Sequence, residues 1–157
     1  MKRTKKRMTL CICLLIVCLA FIWGNSLTNG EDSGNLSGGI MAWINTFLRL
    51  DAAGADTLHW LIRKGAHFTE FACLGLLLTW LFGMMGEKKG HLFCMPLLFG
   101  MMAACVDETI QVFVPDRGPS PVDIWIDTCG VAAGIVILLA GHLYVRKKHT
   151  MNLEETI

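Results

Sequence analysis

The chain has 157 residues, 54% of them hydrophobic and only 17% charged, and its net charge is +1. With a mean hydropathy of +0.51, this is a membrane composition, and the length suits one compact bundle rather than two domains. No basic stripe with interleaved aromatics occurs, which excludes a nucleic-acid partner. Seven cysteines (Cys11, Cys13, Cys18, Cys73, Cys94, Cys105 and Cys129) all lie in apolar runs, and the hydrophilic stretch from Asn25 to Arg63 has none. They form neither a disulfide framework nor a zinc-ribbon pattern and read as small packing residues.

Lys2, Arg3, Lys5, Lys6 and Arg7 precede the apolar run Met8 to Trp23. This resembles a signal peptide, but no A-x-A-like site follows and Cys18 lacks the small residue before it that a lipoprotein site needs. The expectation is an uncleaved first helix spanning about residues 8–27. Glu31 to Gly39 reads as a flexible turn. From Ile40 to Arg63, Met41, Ile44, Phe47 and Leu48 recur at helical spacing, as do Leu58, Leu61 and Ile62. That pattern predicts short amphipathic helices at the membrane interface, a depth that suits Trp43 and Trp60. A loop packed on the bundle is the alternative.

Three further spans are expected over about residues 66–85, 92–114 and 122–145. Gly86-Glu-Lys-Lys-Gly90 joins the second to the third, and Pro115 to Pro121 joins the third to the fourth. The fold class is therefore all-α: one membrane domain over residues 1–157, with four transmembrane helices and short extracytoplasmic interfacial helices. With four spans, the basic N-terminus, Lys88-Lys89 and Arg146-Lys147-Lys148 share one side. The positive-inside rule makes that side the cytoplasm, with both termini in it.

Polar residues interrupt these apolar runs. Glu70, Asp107, Glu108, Asp123 and Asp127, with His67 and Gln111, fall in spanning segments. A charge buried in lipid costs at least about 2.5 kcal/mol, so such residues mark a functional site by default. The alternating helix directions put them all near the outer end. At 1.5 Å per residue, Asp107, Glu108 and Gln111 lie roughly 5–10 Å below the outer end of the third span. Lys64, His67, Glu70 and Leu74 share one helical face, Asp107 and Gln111 another, and Asp123, Asp127, Gly130 and Gly134 a third. Gly130-x-x-x-Gly134 allows close approach of another helix. The expected pocket is lined by His67, Glu70, Asp107, Glu108, Gln111 and Asp127, with Lys64, Arg117 and Asp123 at its rim. Each group also has a structural reading: an intrahelical pair for His67 and Glu70, interhelical glue for Asp107, Glu108 and Gln111, and a helix cap for Asp123.

Together the motifs Lys64-x-x-His67-x-x-Glu70-Phe71-x-x-Leu74-Gly75, Asp107-Glu108-x-x-Gln111-x-Phe113-x-Pro115-x-Arg117, Ser120-x-x-Asp123 and Gly130-x-x-x-Gly134 resemble the VanZ family, over about Arg63 to Gly134. That family is named for a protein associated with teicoplanin resistance. The resemblance implies a multi-span envelope protein with a link to glycopeptide resistance, and it supplies no defined reaction. One position departs from the pattern: Asp127 stands where related sequences often carry Asn. An extra negative charge there suppresses ionisation of a neighbour or recruits a cation.

The residues favour a site that binds or handles an envelope lipid or glycolipid headgroup in the outer leaflet. Lys64 and Arg117 are the expected anion ligands, Arg117 in bidentate fashion. The carboxylates and Gln111 would order polar groups or bind a cation that bridges to phosphate. Membrane lipids, among them a lipid-linked envelope precursor, are the expected partners. Cofactor, metal and oligomeric state stay open. One rival is an acid–base or metal-assisted enzyme using His67, Glu70, Asp107 and Glu108, with a hard divalent cation on Asp107, Glu108 and Asp127 as one variant. Another is a small ion-coupled carrier.

Overall fold

The computed structural model describes residues 2–27, 51–86, 90–115 and 117–154, with isolated residues between 39 and 47. The main elements are four helices: α1 (Lys2–Leu27), α2 (Ala52–Met84), α3 (His91–Val112) and α4 (Pro121–Glu154). All four contain segments long and apolar enough to cross a membrane. No strand occurs among the described residues.

Local chemistry sets the helix ends. Asp51 caps α2, its side chain accepting from the Gly54 amide at 2.9 Å, which satisfies one of the four orphan N–H groups of the first turn. Past α2, Gly86 takes a positive φ of 80°, a conformation that only glycine adopts without steric cost. Pro121 opens α4, where its missing N–H and fixed φ suit the first helical position. The Ser120 carbonyl accepts from the Asp123 amide at 2.9 Å just before it.

The second helix starts earlier than the second span read from the sequence. It begins at Ala52, not near residue 66, so Leu58, Leu61 and Ile62 belong to its first turns and not to a separate interfacial helix. No proline lies between Asp51 and Met84 to end the helix, and the Asp51 cap sets its start. At 33 residues it is about 50 Å long, well beyond the roughly 30 Å hydrocarbon core. Likewise α4 continues past residue 145 through the basic cluster Arg146-Lys147-Lys148 to Glu154. The turn expected at Glu31 to Gly39 and the first half of the expected interfacial segment lie largely outside the described residues. Within that segment, Trp43 and Phe47 pack edge to face at 5.3 Å.

Cross-helix contacts show the direction of each helix. Cys11 Sγ donates to the Leu77 carbonyl, while Asn25 meets Glu70, so α1 and α2 run antiparallel. Trp23 Nε1 donates to the Ala103 carbonyl and Ser26 meets Asp107, so α1 and α3 run parallel. The pairs Lys64–Asp123 and His67–Asp127 run in the same order along α2 and α4, which are also parallel. Phe71, Leu74, Ala104, Val131 and Ile135 fill the centre, joined by Cys11, Leu15 and Ile22 of α1. The outward faces are apolar, with Ile16, Val17, Met102 and Ile137 more than half exposed. Buried acids and exposed aliphatics invert the soluble pattern and match a bundle solvated by lipid.

The closest helix approach is between α2 and α4. A Cβ at Gly130 would strike the Phe68 carbonyl, and one at Gly134 the Ala72 carbonyl. In the other direction, a Cβ on Gly75 would strike the Val131 backbone. Small residues on both sides let the two backbones touch, the usual source of helix association in lipid. This contact positions the polar residues one to two turns toward the helix N-termini.

Candidate functional site

Polar side chains gather where the C-terminal ends of α1 and α3 meet the N-terminal halves of α2 and α4. Asp107 and Asp127 are 0% exposed, Gln111 1%, Glu108 4% and Asp123 5%. Carboxylates this deep must find donors, cations or protons.

Asp107 on α3 accepts a hydrogen bond on each oxygen. Its Oδ1 accepts from Ser26 Oγ at 2.7 Å and its Oδ2 from Gln111 Nε2 at 2.9 Å. Gln111 also donates to Ser26 Oγ at 3.3 Å, closing a three-residue ring between α1 and α3. One helical turn separates Asp107 from Gln111, which lets the amide reach back to the carboxylate.

Glu108 turns away from this ring. Its Oε2 accepts from the Ser120 amide at 2.7 Å and ties α3 to the segment before α4. Its Oε1 is buried and accepts no hydrogen bond from the described residues. Glu70 accepts from Asn25 Nδ2 at 3.0 Å. Lys64 forms a salt bridge with Asp123, both largely buried, and its ammonium sits 6.0 Å from the Trp60 ring centroid. The lysine expected as an anion ligand is thus neutralised by the acid one turn above Asp127.

Asp127 has no such partner. Neither of its oxygens accepts a hydrogen bond from the described residues, although the side chain is wholly buried. Beside it is His67, whose Nδ1 lies 3.8 Å from Oδ1 and is itself unbonded among the described residues. That separation is too long for a hydrogen bond. One ligand atom from each of His67, Asp107 and Asp127 falls within 4.8 Å of the others.

Arg117 sits between α3 and α4, outside the helices, with its amide bonded to the Val114 carbonyl at 3.3 Å. Its Nε and Nη1 are buried and meet no acceptor among the described residues, and the same holds for Arg63 Nε. Glu70, Asp107, Glu108 and Arg63 all lie within electrostatic reach of Arg117. Burial, and then Arg63, push its guanidinium below its ordinary value.

His67, Glu70, Asp107, Glu108, Gln111, Arg117, Asp123, Asp127 and Lys64 therefore lie at one end of the bundle, but they divide among distinct tasks. Lys64 with Asp123 is an ion pair, and Glu108 braces the α3–α4 connection. His67, Asp107 and Asp127 converge, and Arg117 keeps unsatisfied donors. Three participants escaped the sequence reading. Asn25 and Ser26 follow the first apolar run, where two neutral polar residues look like the end of a span. Arg63 looked like the charged side of an interfacial helix.

A family model described as VanZ/LLP1 matches residues 11–143. The chain belongs to the VanZ/LLP1 family. No curated protein and no solved structure matches it. The VanZ/LLP1 match reaches well beyond the signature at residues 63–134 and takes in α1, the helix that supplies Asn25 and Ser26.

Proposed function

We propose that this VanZ/LLP1 protein binds the phosphate-bearing headgroup of an envelope lipid at the outer face of the cell membrane. The observation that carries this reading is Arg117, with two buried guanidinium nitrogens lacking an acceptor among the described residues, beside a second arginine, Arg63, that also has one. Two guanidiniums side by side repel each other. A phosphate between them would satisfy the open donors, since arginine presents a planar fork that matches its oxygens.

The outer-face assignment follows from charge. Lys5, Lys6 and Arg7 begin α1, and Arg146, Lys147 and Lys148 lie near the end of α4, both far from the polar cluster. The positive-inside rule places that basic end, and both termini, in the cytoplasm. A lipid-linked envelope precursor presents its phosphate at the opposite face. Sequestering or presenting such a headgroup would change how glycopeptides such as teicoplanin reach their cell-wall targets. Four outward apolar faces give the acyl or prenyl chain a surface to follow.

Reconstitution of the full chain in nanodiscs tests this. Nanodiscs of neutral lipid are doped with phosphatidic acid, with a polyprenyl phosphate, or with diacylglycerol, and the lipids retained after detergent extraction are quantified. Enrichment of either phosphate lipid over diacylglycerol supports the reading, and the two phosphate arms separate a phospholipid from a carrier lipid. Equal retention of all three overturns it.

A further inference from the structure

Asp127 poses a problem that the headgroup reading leaves unsolved. It is 0% exposed and neither carboxylate oxygen has a donor among the described residues. An asparagine would fit the same space without a charge. His67 stands off at 3.8 Å through an Nδ1 that is also unbonded among the described residues. Two unsatisfied polar atoms face one another across a gap, with Asp107 as the third corner.

We propose that His67, Asp107 and Asp127 bind one divalent first-row cation, of the Mn²⁺ or Zn²⁺ class, at the junction of α2, α3 and α4. Three observations converge on it. The first is spacing. Ligands at about 2.0–2.2 Å from an ion lie about 3–4 Å from one another, which the 3.8 Å separation already meets. The remaining edges, all within 4.8 Å, need only small side-chain adjustments.

The second is orientation. Ser26 and Gln111 each hold one oxygen of Asp107, fixing the plane of the carboxylate. Lone pairs remain on both oxygens for a metal. Outer-shell donors of this kind are what ligating carboxylates require.

The third is charge. Among the described residues of the cluster, Arg63, Lys64 and Arg117 face Glu70, Asp107, Glu108, Asp123 and Asp127. Three cationic groups face five acidic ones, so two carboxyls have no cation of their own, in a setting where unpaired charge is costly. The Lys64–Asp123 pair is neutral by itself. A divalent ion on Asp107 and Asp127 would supply the missing positive charge. One imidazole nitrogen among two carboxylates suits Mn²⁺ or Zn²⁺ better than Ca²⁺ or Mg²⁺, which take all-oxygen sets, and better than soft copper, which takes thiolates. Glu108, a sequence-based candidate for the same ion, turns one oxygen to the Ser120 amide and has no ligand atom in this group, where His67 takes its place.

The test uses the full chain in a phosphate-free, non-ionic detergent, stripped with EDTA and titrated with MnCl₂ alone. Loss of the free Mn²⁺ EPR signal is expected to saturate at one equivalent per chain, and pulsed EPR of the bound ion is expected to show ¹⁴N modulation from one imidazole. His67→Gln should abolish the nitrogen modulation. Asp127→Asn should weaken binding by at least about tenfold, the scale set by losing even an outer-shell partner. His142→Gln, on an exposed stretch of α4, should change neither. Absence of saturable uptake by the wild-type chain, or bound Mn²⁺ without ¹⁴N modulation, overturns the proposal without recourse to any variant. Identical behaviour of wild type, His67→Gln and Asp127→Asn overturns it too. No lipid phosphate enters the assay, so its failure leaves the headgroup reading standing, and the reverse also holds.

Discussion

Ser26 and Asp107, 81 positions apart in the chain, share a 2.7 Å hydrogen bond in the buried centre of the polar cluster. Through it α1, which carries none of the signature motifs, becomes part of the site. Ser26→Ala removes the donor to Asp107 and the acceptor of Gln111 Nε2 in one step. The loss should cost about 1–2 kcal/mol, between the modest value of membrane hydrogen bonds and that of bonds to charged groups. A lowered melting temperature in detergent, with the chain still folded, is the expected readout. An unchanged melt would show that Asp107 finds another donor.

The Lys64–Asp123 pair calls for a double-mutant cycle. Truncating one partner of a buried pair leaves the other charge uncompensated at a cost of about 3–5 kcal/mol. Lys64→Met and Asp123→Asn should each melt early, and the double variant should recover most of the loss. Additive losses would show that the two side chains do not depend on each other.

The α2–α4 contact is equally open to test. Gly130→Ala and Gly134→Ala place a methyl group against the Phe68 and Ala72 carbonyls, which cannot swing aside as a flexible side chain would. Overpacking costs about 1–3 kcal/mol or more, and separation of the helices should also pull His67 from Asp127. Gly141→Ala, with nothing near its Cβ, should melt like the wild type or slightly above it. Early melting of the two contact variants, against an unshifted Gly141→Ala, is the expected pattern.

Much of this architecture was legible in the sequence because charges in apolar runs are expensive. The spans of α1, α3 and α4 announced themselves by hydropathy, and the i, i+3 and i, i+4 spacings placed His67, Asp107 and Asp127 on inward faces at one depth. Partner choice was not legible. Nothing in a linear pattern says that Glu108 reaches the Ser120 amide while its neighbour Asp107 reaches Ser26, because backbone geometry at the α3–α4 connection decides it. The start of α2 was hidden for a different reason. Amphipathic turns around Leu58 and Ile62 look the same whether they lie on the interface or continue a span, and the Asp51 cap is a weak signal on its own.

Orientation has its own check. In a chain lacking the native cysteines, a cysteine at the exposed Gly118 should react with a membrane-impermeant maleimide added outside intact cells. One at the exposed Met151 should react only after the membrane is permeabilised. The reverse pattern would turn the bundle over and move the polar cluster to the cytoplasmic leaflet.

The central claim, that the open donors of Arg117 receive a lipid phosphate, is met most directly by ³¹P NMR of a short-chain phosphatidic acid or polyprenyl phosphate titrated with the full chain in a phosphate-free, non-ionic detergent. The expected result is a saturable shift or broadening of the phosphorus resonance with wild-type protein. In Arg117→Lys, which keeps the charge and loses the planar fork, it should weaken at least about tenfold, the factor that about 1.4 kcal/mol represents, while the melting temperature stays within a few degrees of the wild type. A phosphorus resonance that responds equally to wild type and Arg117→Lys, or to neither, would contradict the claim.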